Sequence, residues 1–366
     1  MKVPFFPYAD LFAEDEQAYV DIFRDVCGRG AFILQKEVEE FEQSLCELTG
    51  SKYALGVANA TDAITMGMMA ADFPAGGEVI IASHTMIATA SGIHFAGGIP
   101  VPVDCGEDHL IDPAAIEAAI TPKTKAIMPT QLNGRVANMD AVMQLADEHN
   151  LQVFEDSAQA LGAKYAGRSA GTFGEAGCIS FYPAKTMGCF GDGGALFCQD
   201  EAVFKKAKTI RDHGRNAENQ IELWGINSRL DNLQAAIMLH KMKKYEGWIA
   251  RRREIASLYD NYLSDLPQLK LPPKPYDGTH FDIFQNYEIE AERRDALKES
   301  LAANGIGTLV QWSGVAVHQC TLLGFDQELP KTDLLFEKML MIPMHHLLSD
   351  AEVEHVAKHI IKFYQN

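Results

Sequence analysis

Lys185 stands in Phe181-Tyr182-Pro183-Ala184-Lys185-Thr186-Met187-Gly188, followed by Cys189-Phe190-Gly191-Asp192-Gly193-Gly194. An apolar strand pattern over Cys178–Tyr182 ends at Pro183, and the lysine falls in the loop beyond it. Four glycines then come within seven residues, Gly188 to Gly194. A neutral lysine amine is a carbonyl nucleophile, and burial or nearby cations lower its pKa. The glycines permit positive φ and let backbone approach a ligand closely. A lone lysine before a flexible turn is ordinarily a solvated surface group, so other residues must decide.

Two further groups share its placement. Val153-Phe154-Glu155-Asp156-Ser157-Ala158-Gln159-Ala160 ends an apolar strand in two acids. Strand side chains alternate, so one acid can face a ligand's basic nitrogen while the other turns away. An aspartate beside the pyridine nitrogen of pyridoxal phosphate (PLP) keeps that ring protonated, and the protonated ring is an electron sink. Alone, such an acid reads as well as the cap of the next turn. Ala58-Asn59-Ala60-Thr61-Asp62 follows the strand Tyr53–Val57 and opens an Ala/Met-rich helix. Asn59 or Thr61 suits the N-cap. A helix N-terminus with a nearby hydroxyl seats phosphate, although an ordinary cap accounts for the pattern equally. Ligands of an open α/β sheet bind beyond the carboxyl ends of its strands, where all three groups fall.

The elements that must position them alternate. Strand patterns are expected at Tyr53–Val57, Glu78–Ala82, Pro100–Asp104, Ala126–Pro129, Gln152–Glu155, Cys178–Tyr182 and Gly194–Phe197. Between them Val38, Phe41, Leu45 and Leu48 share a helical face, as do Met139, Val142, Met143 and Ala146. This predicts an α/β fold with a mainly parallel sheet covered on both faces. From about Leu233 the pattern is helical, and 271–278 reads as a loop rich in breakers. Ser349 with Glu352 predicts a capping box before a final helix striped by Val353, Val356, Ile360 and Phe363. The expected division is a large α/β domain over 25–245 and a small α+β domain over 246–366, with segment 1–24 packing on the latter.

Length and composition set bounds. With 366 residues, 47% of them hydrophobic, the chain suits two globular domains. A net charge of −18 and no Lys/Arg run argue against nucleic-acid binding. Seven cysteines without a C-x-x-C pair support neither a disulfide framework nor a zinc site, and no metal is expected. The N-terminus has no signal-peptide layout and no apolar stretch suits a membrane span, so a cytoplasmic protein is expected. No G-x-G-x-x-G follows a first strand, which argues against a nicotinamide-binding dehydrogenase.

Taken in this order, the three groups resemble the cofactor motifs of the DegT/DnrJ/StrS sugar aminotransferases. The resemblance runs through nearly the whole chain. It includes Gly30–Leu34, Val38–Glu42, Ile120–Ile127, Glu155–Ala160, Ser180–Lys185, Gly191–Ala195 and Gly225-Ile226-Asn227-Ser228-Arg229-Leu230-Asp231. It implies the type I PLP-dependent transferase fold, that of aspartate aminotransferase, in a homodimer with active sites at the interface. Lys185 would form the Schiff base, Asp156 pair with the pyridine nitrogen and Gln159 reach the phenolic oxygen. Ala60, Thr61 and Ser180 would hold the phosphate, joined by Asn227 from the neighbouring subunit. Substrate contacts would come from Arg229, Trp312, His318 and His345.

Three departures stand out. Met86 replaces the usual ring-stacking aromatic, Ala60 the usual glycine, and Gln311-Trp312-Ser313-Gly314-Val315-Ala316-Val317-His318 an aromatic and proline-rich stretch. The activity implied is amination of a keto nucleotide sugar with glutamate as donor, serving surface polysaccharide or glycoconjugate synthesis. The Lys185–Gly194 stretch leans towards C3 of a UDP-linked sugar, with C4 amination of a UDP-, dTDP- or GDP-linked 4-keto-6-deoxy sugar as the alternative. A related dehydratase, which would carry histidine in place of Lys185, and a non-catalytic regulator of the same fold are the competing readings.

Overall fold

The computed structural model describes residues 1–275 and 278–365. The loop predicted at 271–278 therefore lies partly outside the described residues, at Tyr276 and Asp277. The strands are β1 (Tyr53–Val57), β2 (Glu78–Ala82), β3 (Ile99–Val103), β4 (Thr124–Met128), β5 (Gln152–Asp156), β6 (Lys164–Tyr165), β7 (Arg168–Ser169), β8 (Ala176–Ser180), β9 (Gly194–Cys198), β10 (Leu269–Lys270), β11 (His280–Phe281), β12 (Tyr287–Ala291) and β13 (Met339–Ile342).

Seven of them form the main sheet, in the order β1-β9-β8-β5-β4-β2-β3. Its strands pair in parallel from β8 through to β3, and only β9 runs against its neighbours. The α/β fold with a mainly parallel sheet is the one expected. Period-two alternation decides how the sheet is covered. Along β2, Ile80 and Ala82 enter one hydrophobic cluster, with Ile127, Val153 and Phe197 from its neighbours. Val79 and Ile81 enter the cluster on the opposite face, with Met128, Phe154 and Leu196. Both faces are apolar because helices cover both.

A second sheet, β10-β12-β13, has its own core of Tyr287, Ile289, Leu340 and Ile342 under the final helix, Asp350–Gln365. That helix starts at the predicted capping box, in which Ser349 N–H donates to Glu352 Oε2 at 2.9 Å. Helix Tyr245–Leu263 joins the two cores: Tyr245, Trp248 and Ile249 pack with the main sheet, and Ile255, Tyr259 and Leu263 with the smaller one. The N-terminal segment touches both parts of the molecule. Val3 pairs with Ile306 beside the small sheet. Helix Glu16–Gly28 instead packs on helix Asn232–Met242, because its buried residues, Tyr19 and Val26, face that way. No helix of the described residues is long and apolar enough to cross a membrane.

Candidate active site

The sheet order brings the separated motifs to one edge. Gly194, the first residue of β9, pairs with Val57 at the end of β1 and with Ser180 at the end of β8. Helix Ala60–Ala70 starts directly above it. Asn59 caps that helix, its Oδ1 accepting from Asp62 N–H at 2.8 Å. The N–H groups of Ala60 and Thr61 are left without an acceptor among the described residues. A Cβ on Gly194 would sit 2.5 Å from Asn59 C and 2.8 Å from Ala60 N. Only glycine lets strand and helix terminus approach this closely, and the result is a cradle of donors ringed by Thr61 and Ser180.

Asp156 ends β5 along the same edge and is buried. Its Oδ2 accepts from Thr89 Oγ1 at 2.6 Å and its Oδ1 from Ala158 N–H at 3.1 Å. Thr89 closes a row of buried hydroxyls: Thr130 donates to Thr85 at 2.9 Å, and Thr85 and Thr89 share a hydrogen bond of 2.7 Å. The other strand-end acid, Glu155, turns away as alternation requires. Its carboxylate accepts from the N–H groups of Gly171 and Phe173 and from Gln131.

Lys185 lies in a loop closed at both ends, where Phe181 N–H donates to Gly193 O and Cys189 N–H to Phe181 O. Burial pushes the Lys185 amine down to about 8, against the opposing pull of Asp156. The amine has no hydrogen bond among the described residues. Gln285, from the approach to β12, clamps the flanking backbone: its Oε1 accepts from Thr186 N–H at 2.6 Å and its Nε2 donates to Ala184 O at 2.8 Å. Gln159 Oε1 accepts from Asn133 N–H at 2.8 Å, which turns the Gln159 amide nitrogen to the other side. Met86 is half exposed at the N-cap of helix Ile87–Phe95.

These residues fit PLP. The cradle suits its phosphate, buried Asp156 a protonated ring nitrogen, and the unpaired Lys185 amine its aldehyde. The substrate-contact residues are more scattered. His345 and Lys185 line one cavity of ≈ 270 Å³, together with Lys241, Arg252, Trp248 and His346. Among the described residues neither nitrogen of His345 meets hydrogen-bond geometry, although the Pro4 backbone lies beside it. Asn227 and Arg229 line a different cleft, of ≈ 400 Å³, with Asp192 and Gln234. Arg229 pairs with Asp212 at 2.8 Å within the same chain. His318 is buried with both nitrogens taken, by Ser83 Oγ at 2.7 Å and Asp333 Oδ1 at 3.0 Å, and Trp312 packs against apolar side chains. Neither lines the cavity of Lys185.

Sequence reasoning missed Thr85, Thr89, Gln285, Asn133 and Lys241. The two threonines had a signal, since they lie four apart around Met86. Lys241, whose amine burial lowers to about 8, had none.

Comparison with known proteins agrees with this geometry. A family model described as the DegT/DnrJ/EryC1/StrS aminotransferase family matches residues 13–361. The chain is 35% identical to a UDP-2-acetamido-2-deoxy-3-oxo-D-glucuronate aminotransferase of Pseudomonas aeruginosa, over 90% of this chain and 91% of that one. It is 36% identical to a pleiotropic regulatory protein of Geobacillus stearothermophilus, over 98% and 99%. Among solved structures it resembles DesV of S. venezuelae in complex with a ketimine intermediate, with TM-score 0.95 and 33% identity over 100% and 99% of the two chains.

Proposed function

Because the chain belongs to the DegT/DnrJ/EryC1/StrS aminotransferase family and is a PLP-dependent transaminase, we propose that it aminates the ketone of a nucleotide sugar, with glutamate as amino donor. The observation that carries this reading is a partly buried, desolvated lysine whose amine has no hydrogen bond among the described residues, on the sheet edge that also holds Asp156 and the donor cradle. When bound, PLP supplies a carbonyl to receive the amine and a protonated ring to hold the electron pair released at the donor's α-carbon.

The chain's own residues do the rest. Asp156, fixed by Thr89 and Ala158, holds the proton on the ring nitrogen. Lys185 Nζ takes the proton from the donor's α-carbon, a task suited to an amine whose pKa lies near the working pH. Ala60, Thr61 and Ser180 would hold the phosphate. Gln159 would donate from its amide nitrogen to the phenolic oxygen, and Met86 would cover a ring face.

The lean to C3 of a UDP-linked sugar is supported by the Pseudomonas relative, named for a 3-oxo substrate. Arg229, Trp312, His318 and His345 remain the proposed sugar contacts, with His345 best placed beside Lys185. The two-domain division at about residue 245 is supported by the separate cores that helix Tyr245–Leu263 links. Dimerisation through 225–231 is supported by Trp224, 94% exposed beside it, and by the exposed Asn227.

Incubation with PLP, glutamate and 3-keto or 4-keto nucleotide sugars, followed by NMR of the product, tests the reading. Nitrogen is expected on C3. Lys185→Ala is expected to lower turnover by a factor of roughly 10² to 10⁴ or more and to abolish the Schiff-base absorbance. Full activity in that variant would overturn the proposal.

A further inference from the structure

A buried polar cluster lies where the main sheet meets the smaller one, and the proposed reaction makes no use of it. His84 follows β2, His109 stands beyond β3 with φ +67, and Glu288 is on β12. They are 0%, 9% and 2% exposed. One nitrogen of each imidazole and one oxygen of the carboxylate lie within 4.8 Å of one another.

Among the described residues neither nitrogen of His84 meets hydrogen-bond geometry, although the Gln311 side chain and the His109 backbone lie near it, and Glu288 Oε2 has no hydrogen bond. Fully buried polar atoms are rarely left so. His84 Nε2 stands 3.6 Å from Glu288 Oε2. That is too long for a hydrogen bond. It is close to the separation of about 3.4 Å between two ligand atoms on a tetrahedral zinc ion with bonds of roughly 2.0–2.1 Å.

His109 is the third donor: its Nδ1 shares a hydrogen bond of 2.9 Å with Glu288 Oε1, which a bound ion would replace. Its other nitrogen meets Glu290 Oε1 at 3.1 Å, and Glu290 is held by Lys270 at 3.0 Å. A carboxylate behind an imidazole is the usual support for a histidine ligand. Asn133 Nδ2 donates to Glu288 Oε1 at 3.3 Å. A cavity of ≈ 30 Å³, room for about one ion or water, adjoins His109 and Glu288 but not His84, and is bordered by Glu107 and Asp108. Arg135 also borders it, with its charge paired to Asp282 at 2.6 Å.

We propose that His84, His109 and Glu288 bind one divalent first-row transition ion of the zinc class, linking the main sheet to the three-stranded sheet. Two imidazoles and a carboxylate are donors that suit such an ion.

The test uses the PLP-loaded protein after chelator dialysis, titrated with Zn²⁺ by calorimetry and with Co²⁺ by visible absorption. One tight equivalent per chain is expected. Glu288→Gln and His84→Ala should each lose it, and Glu290→Gln should weaken it by about 10- to 100-fold. The partly buried pair His355 and His359 on the final helix is the competing source of binding, so the double variant His355→Ala/His359→Ala should retain the tight equivalent. His84→Ala removes a ring whose nitrogens meet no hydrogen-bond geometry among the described residues and serves if Glu288→Gln fails to fold. No stoichiometric uptake by the unmodified protein, or uptake lost only in that double variant, overturns the proposal.

Discussion

Lys185 gains its chemistry from losing water. The loop around it buries the amine and lowers its proton affinity to about 8. Asp156 acts in the opposite direction, since a nearby carboxylate favours the charged amine. The reactive form is the neutral amine. In cofactor-free protein, labelling of Lys185 by a small aldehyde with borohydride trapping is therefore expected to rise with pH through about 8 and then level off. A midpoint near 10.5, the ordinary value for lysine, would sink the assignment. Asp156→Ala should move that midpoint further down, because it removes the opposing charge. Peptide mass spectrometry across a pH series checks both.

At the scale of elements, the site depends on how closely β9 approaches the helix that starts at Ala60. Gly194→Ala would drive a Cβ into backbone at 2.5 and 2.8 Å, and backbone cannot swing aside as a flexible side chain does. Overpacking of this kind costs about 1–3 kcal/mol. It would also displace the two free N–H groups. Urea unfolding should show the loss of stability, and ultrafiltration should show weaker PLP retention, while a variant as stable and as tightly loaded as the parent would contradict the cradle. The strands were legible to within one or two residues. β8 is Ala176–Ser180, not Cys178–Tyr182: Phe181 still reads as apolar strand, but its N–H already closes the lysine loop on Gly193.

For the whole molecule, the region between the two sheets carries the pH sensitivity. Burial and the charge of Arg252 hold His345 down at about 4 and His346 at about 3. In the unfolded chain both return to about 6.5. The unfolded state then takes up more protons as pH falls, so the stability these residues contribute is complete above about 6.5 and drains away towards 4 and 3. His345 alone accounts for roughly 2 kcal/mol between pH 7 and pH 5 by this linkage. His345→Leu, which removes a ring whose nitrogens meet no hydrogen-bond geometry among the described residues, should shrink the loss in denaturant midpoint over that range. An unchanged pH dependence would contradict the assignment.

Local pattern alone put Lys185 and Asp156 at strand ends and Ala60–Thr61 at a helix start, because strand ends, caps and glycine turns depend on neighbours a few residues away. The family resemblance then gave those residues a common cofactor. It could not say what stands around them. The threonine row behind Asp156, Gln285 across the lysine loop, and His84, His109 and Glu288 meeting between the sheets join residues far apart in the chain. Sheet order and the seating of one core against the other bring them together, and no local propensity encodes either. Burial, which lowers the pKa of Lys185, is likewise a property of the folded whole. Tertiary structure alone decided which polar atoms are left without partners, and so where a further ligand is to be sought.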